Sequence, residues 1–328
     1  MISRRQLLIA LGVNAVAAPF ATFAQPQGKV WRIGLLSTYP YGKNPRLGAF
    51  KQQLRDLGHV EGKTFTIDEL QADGNYDRYP ALAAELVRRN VDVILATGGT
   101  QSVTAARDAT RTIPIVFSGV SDPVGQKIVA SLARPGGNIT GATNQNQDAA
   151  GRVLALLREI VPSAKRIAIL SNPTNSSLPL VLGHMRAAAT TLRLEVTVVE
   201  AKAPAEFEEA FAKIARARTA GVIVPGDSMF NGQSARLAAL AVKHRLPTMG
   251  GNSLMSEGGV LMSYSANPME LFRRVAILTD KILRGAKPAD LPVEQPTQFD
   301  LIVNMKTAKA LGIKIPNSIL VQATKVIE

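Results

Sequence analysis

Apolar residues along this chain fall into two alternating patterns. Short runs such as Val30-Trp31-Arg32-Ile33-Gly34-Leu35-Leu36, Val91–Ala96 and Ile115-Val116-Phe117 end abruptly at small or polar residues. Such runs suit strands of a parallel sheet whose two faces are both covered by helices. Between them the apolar residues recur at steps of three and four. Leu47, Phe50, Leu54 and Leu57 make one such stripe, stopped by Gly58, and that spacing places them on one face of a helix. The second half repeats the plan. Val153, Leu156, Leu157 and Ile160 mark a helix, Ile167–Leu170 a strand, and Leu178, Leu182, Met185, Ala189 and Leu192 the next helix. Strands follow at Val196–Val199, Val222–Val224 and Val260–Met262, with helices over Phe207–Ile214, Leu237–Val242 and Leu271–Leu283. Gly285 and Pro288 terminate the last of these. Strands alternating with helices from end to end predict an α/β chain of doubly wound parallel sheets with right-handed crossovers.

The halves also match in detail. Arg32-Ile33-Gly34-Leu35-Leu36-Ser37 returns 134 residues later as Arg166-Ile167-Ala168-Ile169-Leu170-Ser171, and Arg111-Thr112-Ile113-Pro114 returns 133 residues later as His244-Arg245-Leu246-Pro247. Nearly equal offsets predict two copies of one α/β lobe. Ligands of open α/β sheets bind beyond the carboxyl ends of the strands. Two lobes facing each other by those ends enclose a cleft that can close on a ligand.

The strand ends therefore carry the candidate chemistry. The first lobe offers Ser37-Thr38-Tyr39, Thr97-Gly98-Gly99-Thr100-Gln101-Ser102, Ser118-Gly119-Val120-Ser121-Asp122-Pro123 and Thr143-Asn144. The second offers Ser171-Asn172, Asn175, Gly226-Asp227-Ser228, Gly250-Gly251-Asn252 and Tyr264. Hydroxyls, amides and glycines make a binding inventory. At Thr97–Thr100 the glycines Gly98 and Gly99 let backbone approach a ligand, and the start of the next helix favours an anion. Asp122 reads first as a helix cap before Pro123 and second as a ligand contact, whereas Asp227 reads equally as a cap or as a partner for a ligand ammonium. Tyr39, Tyr41 and Tyr264 are candidates for stacking on a flat ligand.

Composition narrows the function further. The chain has no cysteine, which removes thiol nucleophiles, disulfides and zinc–thiolate sites, together with any lipid-bearing cysteine. Its histidines, His59, His184 and His244, are scattered and lie away from the strand ends. No glycine-flanked serine elbow, dinucleotide fingerprint or phosphate-loop lysine is present, so neither a catalytic residue, a metal site nor a cofactor is expected. Ser3-Arg4-Arg5-Gln6-Leu7-Leu8 followed by an uncharged apolar stretch to Ala18 and by Thr22-Phe23-Ala24 reads as a secretory signal cleaved after about Ala24. The paired arginines leave the Sec and twin-arginine routes both open. Cleavage leaves 304 of the 328 residues and lowers the formal charge from +13 to about +11 by loss of Arg4 and Arg5. The basic residues are dispersed and few aromatics accompany them, so a solvated basic surface is expected rather than a nucleic-acid site.

Longer stretches carry a family resemblance. Thr112-Ile113-Pro114-Ile115-Val116-Phe117, Ser121-Asp122-Pro123-Val124-Gly125 and Ser131-Leu132-Ala133-Arg134-Pro135-Gly136-Gly137-Asn138-Ile139-Thr140-Gly141 run almost consecutively. With Lys287–Val293 and Asn304-Met305-Lys306-Thr307-Ala308, they resemble the tryptophan/tyrosine-type solute-binding proteins of ABC transporters. The resemblance implies a type I periplasmic-binding fold, a hinge crossed three times, and a periplasmic protein acting as a monomer with an inner-membrane permease and ATPase. On that basis residues 25–143 with 265–290 form lobe 1, and 144–264 with 291–328 form lobe 2. It also implies carboxylate capture near Thr97–Thr100 and Ser118–Asp122, with Asp227 receiving an amino group. This sequence departs there: Asn175 stands where a glutamate is expected, and an acid near Asn252 is replaced. Burying an ammonium without counter-charge is costly, so carboxylates lacking an amino group join amino acids as expected ligands. Import of a small organic ligand is the leading reading, and a ligand-sensing module for a membrane receptor is the alternative.

Overall fold

The computed structural model describes residues 29–40, 42 and 45–328; the segment expected to act as a secretory signal and Tyr41 lie outside the described residues. The first lobe is built in chain order from β1 (Trp31–Ser37), α1 (Pro45–Asp56), β2 (Phe65–Gln71), α2 (Tyr79–Arg88), β3 (Val93–Ala96), α3 (Thr100–Ala109), β4 (Ile115–Val120) and β5 (Ile139–Thr143). Its five strands lie in the order β2-β1-β3-β4-β5, every pair parallel. Alternation along the strands sends side chains to two cores. Ile33 and Leu35 pack with Phe50 and Leu54 of α1 on one face, while Leu36 and Ile94 pack with Leu86 and Val103 of α2 and α3 on the other. Helices on both faces make the sheet doubly wound, as the nearly continuous apolar strands required.

The second lobe continues with α4 (Asn146–Ile160), β6 (Arg166–Ser171), α5 (Leu178–Thr191), β7 (Glu195–Glu200), α6 (Phe207–Arg216), β8 (Val222–Val224), α7 (Ser228–Gly232), α8 (Ser234–Lys243), β9 (Thr248–Gly250), α9 (Ser253–Glu257) and β10 (Met262–Ala266). After α10 (Pro268–Leu283) come β11 (Phe299–Asn304), α11 (Met305–Leu311), α12 (Asn317–Gln322) and β12 (Lys325–Ile327). The seven-stranded sheet runs β12-β11-β10-β9-β8-β6-β7. Read from β7, its first five strands repeat the order of the other lobe, with β6 in the place of β1. The recurring Arg-Ile-Gly/Ala-(Leu/Ile)-Leu-Ser segment is that shared central strand, and the two Pro-ended segments lead into the equivalent strands β4 and β9.

One pairing departs from the all-parallel expectation. β10 and β11 are antiparallel, with Ala266 opposite Phe299. The reason is the path between them: α10 leaves β10 to pack Leu271, Phe272 and Val275 into the first lobe's core. The chain then returns past Leu132, to whose O Val293 N donates, and along β5, where Glu294 N donates to Gly141 O, each at 2.8 Å. It re-enters the second sheet beside the end it left, so β11 must run back. The chain thus passes between lobes after β5, after β10 and before β11. β2 escaped the apolar pattern because Phe-Thr-Ile-Asp-Glu-Leu-Gln is a half-buried edge strand. Among the described residues, no helix is long and apolar enough to cross a membrane.

Candidate functional site

Both sets of strand ends open onto one cavity of about 100 Å³ between the lobes. Fifteen of the residues expected from sequence line it, among them Thr97, Gly98, Gly99, Thr100, Ser118, Asn175, Asp227 and Asn252. The first-lobe wall is the turn from β3 into α3. Gly99 holds φ +79° at the N-cap of α3 without any side-chain cap, a conformation natural to glycine. The first N–H groups of α3 are therefore without intrahelical acceptors where they meet the cavity. Gly98 has a different cause from the ligand approach expected. A Cβ there would lie 1.9 Å from the Tyr79 hydroxyl, which is buried and hydrogen-bonded to Thr38 Oγ1 at 2.6 Å. The Gly98 N–H is also engaged, donating to Ser102 Oγ at 3.0 Å. Thr100 turns its hydroxyl onto Gln126 Oε1.

The second-lobe wall is organised around Asp227, which follows β8 and is 5% exposed. Its Oδ1 caps α7, accepting from Met229 N at 2.8 Å and Phe230 N at 3.2 Å. Its Oδ2 accepts from Asn175 Nδ2 at 2.8 Å and Asn172 Nδ2 at 3.2 Å. Both amides are aimed by their own turns. Asn172 Oδ1 accepts from Thr174 N at 3.1 Å and Thr174 Oγ1 at 2.7 Å; Asn175 Oδ1 accepts from Ser177 N at 3.0 Å and Ser177 Oγ at 2.7 Å. Burial pushes the Asp227 carboxyl above its ordinary value, against the pull of these hydrogen bonds, that of Asn175 foremost. Beside it the ends of β8 and β9 nearly touch: a Cβ on Gly251 would lie 2.3 Å from Gly226 N, so only glycine admits that approach.

The lobes meet across the cavity. The Tyr76 hydroxyl, from the first lobe, donates to Asp227 at 3.3 Å and accepts from Met229 N at 3.3 Å. Burial and the Asp227 charge push that phenol far up, so it stays protonated. Gln101 Nε2 donates to Thr174 O and Asn175 Oδ1, both at 3.3 Å. Tyr39 packs against Gly232, where a Cβ would lie 2.6 Å from its ring, and burial raises its hydroxyl too. These contacts describe a closed cleft.

Six others among the expected residues stand off the main cavity. Tyr39 lines an adjoining pocket with Thr38, Arg46 and Asn231. Ser37 donates to Tyr39 O at 3.0 Å, and Thr143 to Ser121 O at 2.9 Å. Asn172 serves Asp227 from behind. Asp122 caps no helix: residues 123–127 form turns, and its carboxylate closes them by accepting Gly125 N at 2.8 Å. Tyr264 stacks on Phe299 with ring centroids 5.5 Å apart. Ser37 and Thr143 are strand-end residues whose side chains are buried, whereas Tyr264 falls in the middle of β10, with its ring on a face of the sheet. Sequence reasoning missed Arg46, Tyr76, Ser177, Asn231, Ser265, Ala266, Pro268, Leu271 and Phe272, all of which line the cavity. The last four were legible only as a strand end and a helix start until the chain's second crossing placed them at the hinge. Among the described residues, no group of three or more His, Asp or Glu is placed to hold a metal ion.

Comparison with known proteins fits this architecture. A conserved domain protein of Vibrio cholerae is 27% identical, covering 91% of this chain and 100% of its own, with a TM-score of 0.84. An ABC domain from Streptococcus pneumonia in complex with L-Trp is 24% identical over 91% of this chain and 100% of its own, with a TM-score of 0.82. A tyrosine-binding protein of Clostridioides difficile (strain R20291) is 25% identical over 265 residues, which is 81% of this chain and 76% of the relative. The sequence model of the family described as "ABC transporter substrate binding protein" matches residues 43–327. With two like lobes, strand ends facing a polar cavity and a match of that extent, the chain belongs to the ABC transporter substrate-binding protein family.

Proposed function

We propose that this protein is the periplasmic, solute-capturing component of an ABC importer, holding a small organic ligand in the inter-lobe cleft for a permease and its ATPase. The observation that carries this reading is the pair of polar bridges spanning the cavity, Tyr76 to Asp227 and Gln101 to Asn175. Bridges of that kind form only when the lobes are together, so a ligand that fills the cavity and favours closure is retained by both walls at once. The wall is amide- and hydroxyl-rich with an apolar flank of Ala266, Pro268, Leu271 and Phe272, which suits an organic molecule with one polar end. Export follows from the N-terminal residues Arg4 and Arg5 and the apolar stretch behind them.

A thermal-shift screen of amino acids and organic acids tests the reading. A ligand that binds only the folded form at one hundred times its Kd stabilises it by about 2.7 kcal/mol, a rise of several degrees. Cleft-directed binding requires that Asn175→Ala abolish most of that rise. A hit whose shift is untouched by changes at Asn175 and Tyr76 would place the ligand elsewhere and defeat the proposal.

A further inference from the structure

We infer that the cleft selects a carboxylic acid that carries no ammonium group, because Asp227, the one carboxylate among the described lining residues, is already saturated by donors of the chain itself. The inference rests on the cleft reading above and narrows its ligand class.

A carboxylate offers about four lone-pair directions. Those of Asp227 are taken by Met229 N, Phe230 N, Asn172 Nδ2 and Asn175 Nδ2, and the Tyr76 hydroxyl lies 3.3 Å from both oxygens. These donors are committed. Two are backbone N–H groups at the start of α7. The two amides cannot turn over, because each Oδ1 already accepts from a backbone N–H and a hydroxyl in its own turn. An ammonium arriving at Asp227 must displace one of them and strand a buried donor, and it gains only part of the counter-charge it needs. The neighbouring amide oxygens carry no charge and so cannot replace a carboxylate as the counter-ion. Asn175 Oδ1 is occupied by Ser177, and Asn252 Oδ1 accepts Leu254 N at 2.9 Å.

The opposite wall favours an anion. The uncapped start of α3 faces the cavity, and the positive end of a ten-residue helix stabilises a carboxylate placed there. Arg46 is the cation among the described lining residues. One further atom refines the class: on the second-lobe wall, in α7, Asn231 Oδ1 is buried with no hydrogen-bond partner. A ligand hydroxyl supplies the neutral donor it lacks and needs no counter-charge.

Calorimetry with two matched series tests this: alanine, lactate and propionate, and phenylalanine, phenyllactate and phenylpropionate. Within the series that binds, the hydroxy acid and the plain acid should each bind at least tenfold tighter than the amino acid, a difference of about 1.4 kcal/mol. Asn175→Asp removes one committed donor and adds a charge, so it should move the amino-to-hydroxy ratio by tenfold or more toward the amino acid. Circular dichroism of the variant checks that it is folded. An amino acid bound by the unaltered protein as tightly as its hydroxy counterpart overturns the inference and leaves the cleft reading standing. Silence from all six ligands overturns it as well, while the cleft reading is then judged on the wider thermal screen.

Discussion

Replacing Asp227 by alanine tests how the second-lobe wall is held together. The change removes the cap of α7, a loss of about 0.5–2 kcal/mol for a capping aspartate. It also leaves Asn172 Nδ2 and Asn175 Nδ2 facing each other with no acceptor, since both Oδ1 atoms are held in their turns. Each stranded buried donor costs about 1–3 kcal/mol. Against these stands the relief of no longer burying a carboxylate that is 5% exposed. The three effects share atoms and do not simply add, so the net loss should be about 2–4 kcal/mol. Asp227→Asn should cost roughly half as much, because its amide oxygen can still cap α7. Urea denaturation followed by circular dichroism measures both, and hydrogen exchange adds local resolution. The Met229 and Phe230 amides should exchange faster in the alanine variant and remain protected in the asparagine variant. Equal stabilities for all three proteins, with unchanged exchange at those amides, would refute the account of this wall.

Other consequences are as direct. Gly98→Ala drives a Cβ to 1.9 Å from the Tyr79 hydroxyl and should destabilise by about 1–3 kcal/mol, the range of an overpacked core; adding Tyr79→Phe removes the offending oxygen and should recover part of the loss in melting temperature. Gly251→Ala meets backbone at Gly226 instead, so no side-chain trimming should rescue it, and ligand affinity should fall with stability. Gln101→Ala removes an inter-lobe bridge and should weaken ligand binding several-fold by calorimetry with little effect on melting temperature. If the N-terminal segment is a cleaved export signal, mass spectrometry of an osmotic-shock fraction should find a mature chain beginning at Gln25; full-length protein confined to the cytoplasm would end that proposal.

Much of this was readable from residues. The repeat between Arg32–Ser37 and Arg166–Ser171 marks the central strand of each lobe because a strand buried on both faces must be apolar throughout, and such strands are conspicuous. The strand-end rule found the turn at Thr97–Thr100 and the Asp227 position because short polar stretches after apolar runs have few places to go. The rule failed where side-chain direction or strand length decides the outcome: Ser37 and Thr143 sit at strand ends but are buried, and Tyr264 lies in the middle of β10, which runs on to Ala266. It was also silent on Tyr76, which follows the polar edge strand β2 in a single 3-10 turn (Tyr76–Arg78) and reaches Asp227 only because the lobes are together. Phe272 reads as one more core position of α10, and its place in the cavity depends on a crossing between lobes that no local pattern encodes. The antiparallel β11 is legible only once that crossing is known.

On the proposed function, the two lobes close on a ligand through the contacts between Tyr76 and Asp227 and between Gln101 and Asn175. Small-angle scattering of the protein with and without a ligand confirmed by calorimetry tests it most directly. The ligand-free protein should show a larger radius of gyration, and the complex should match the closed arrangement, with Tyr76→Ala and Gln101→Ala shifting the complex toward the larger value. An identical radius in both states at saturating ligand would contradict the account.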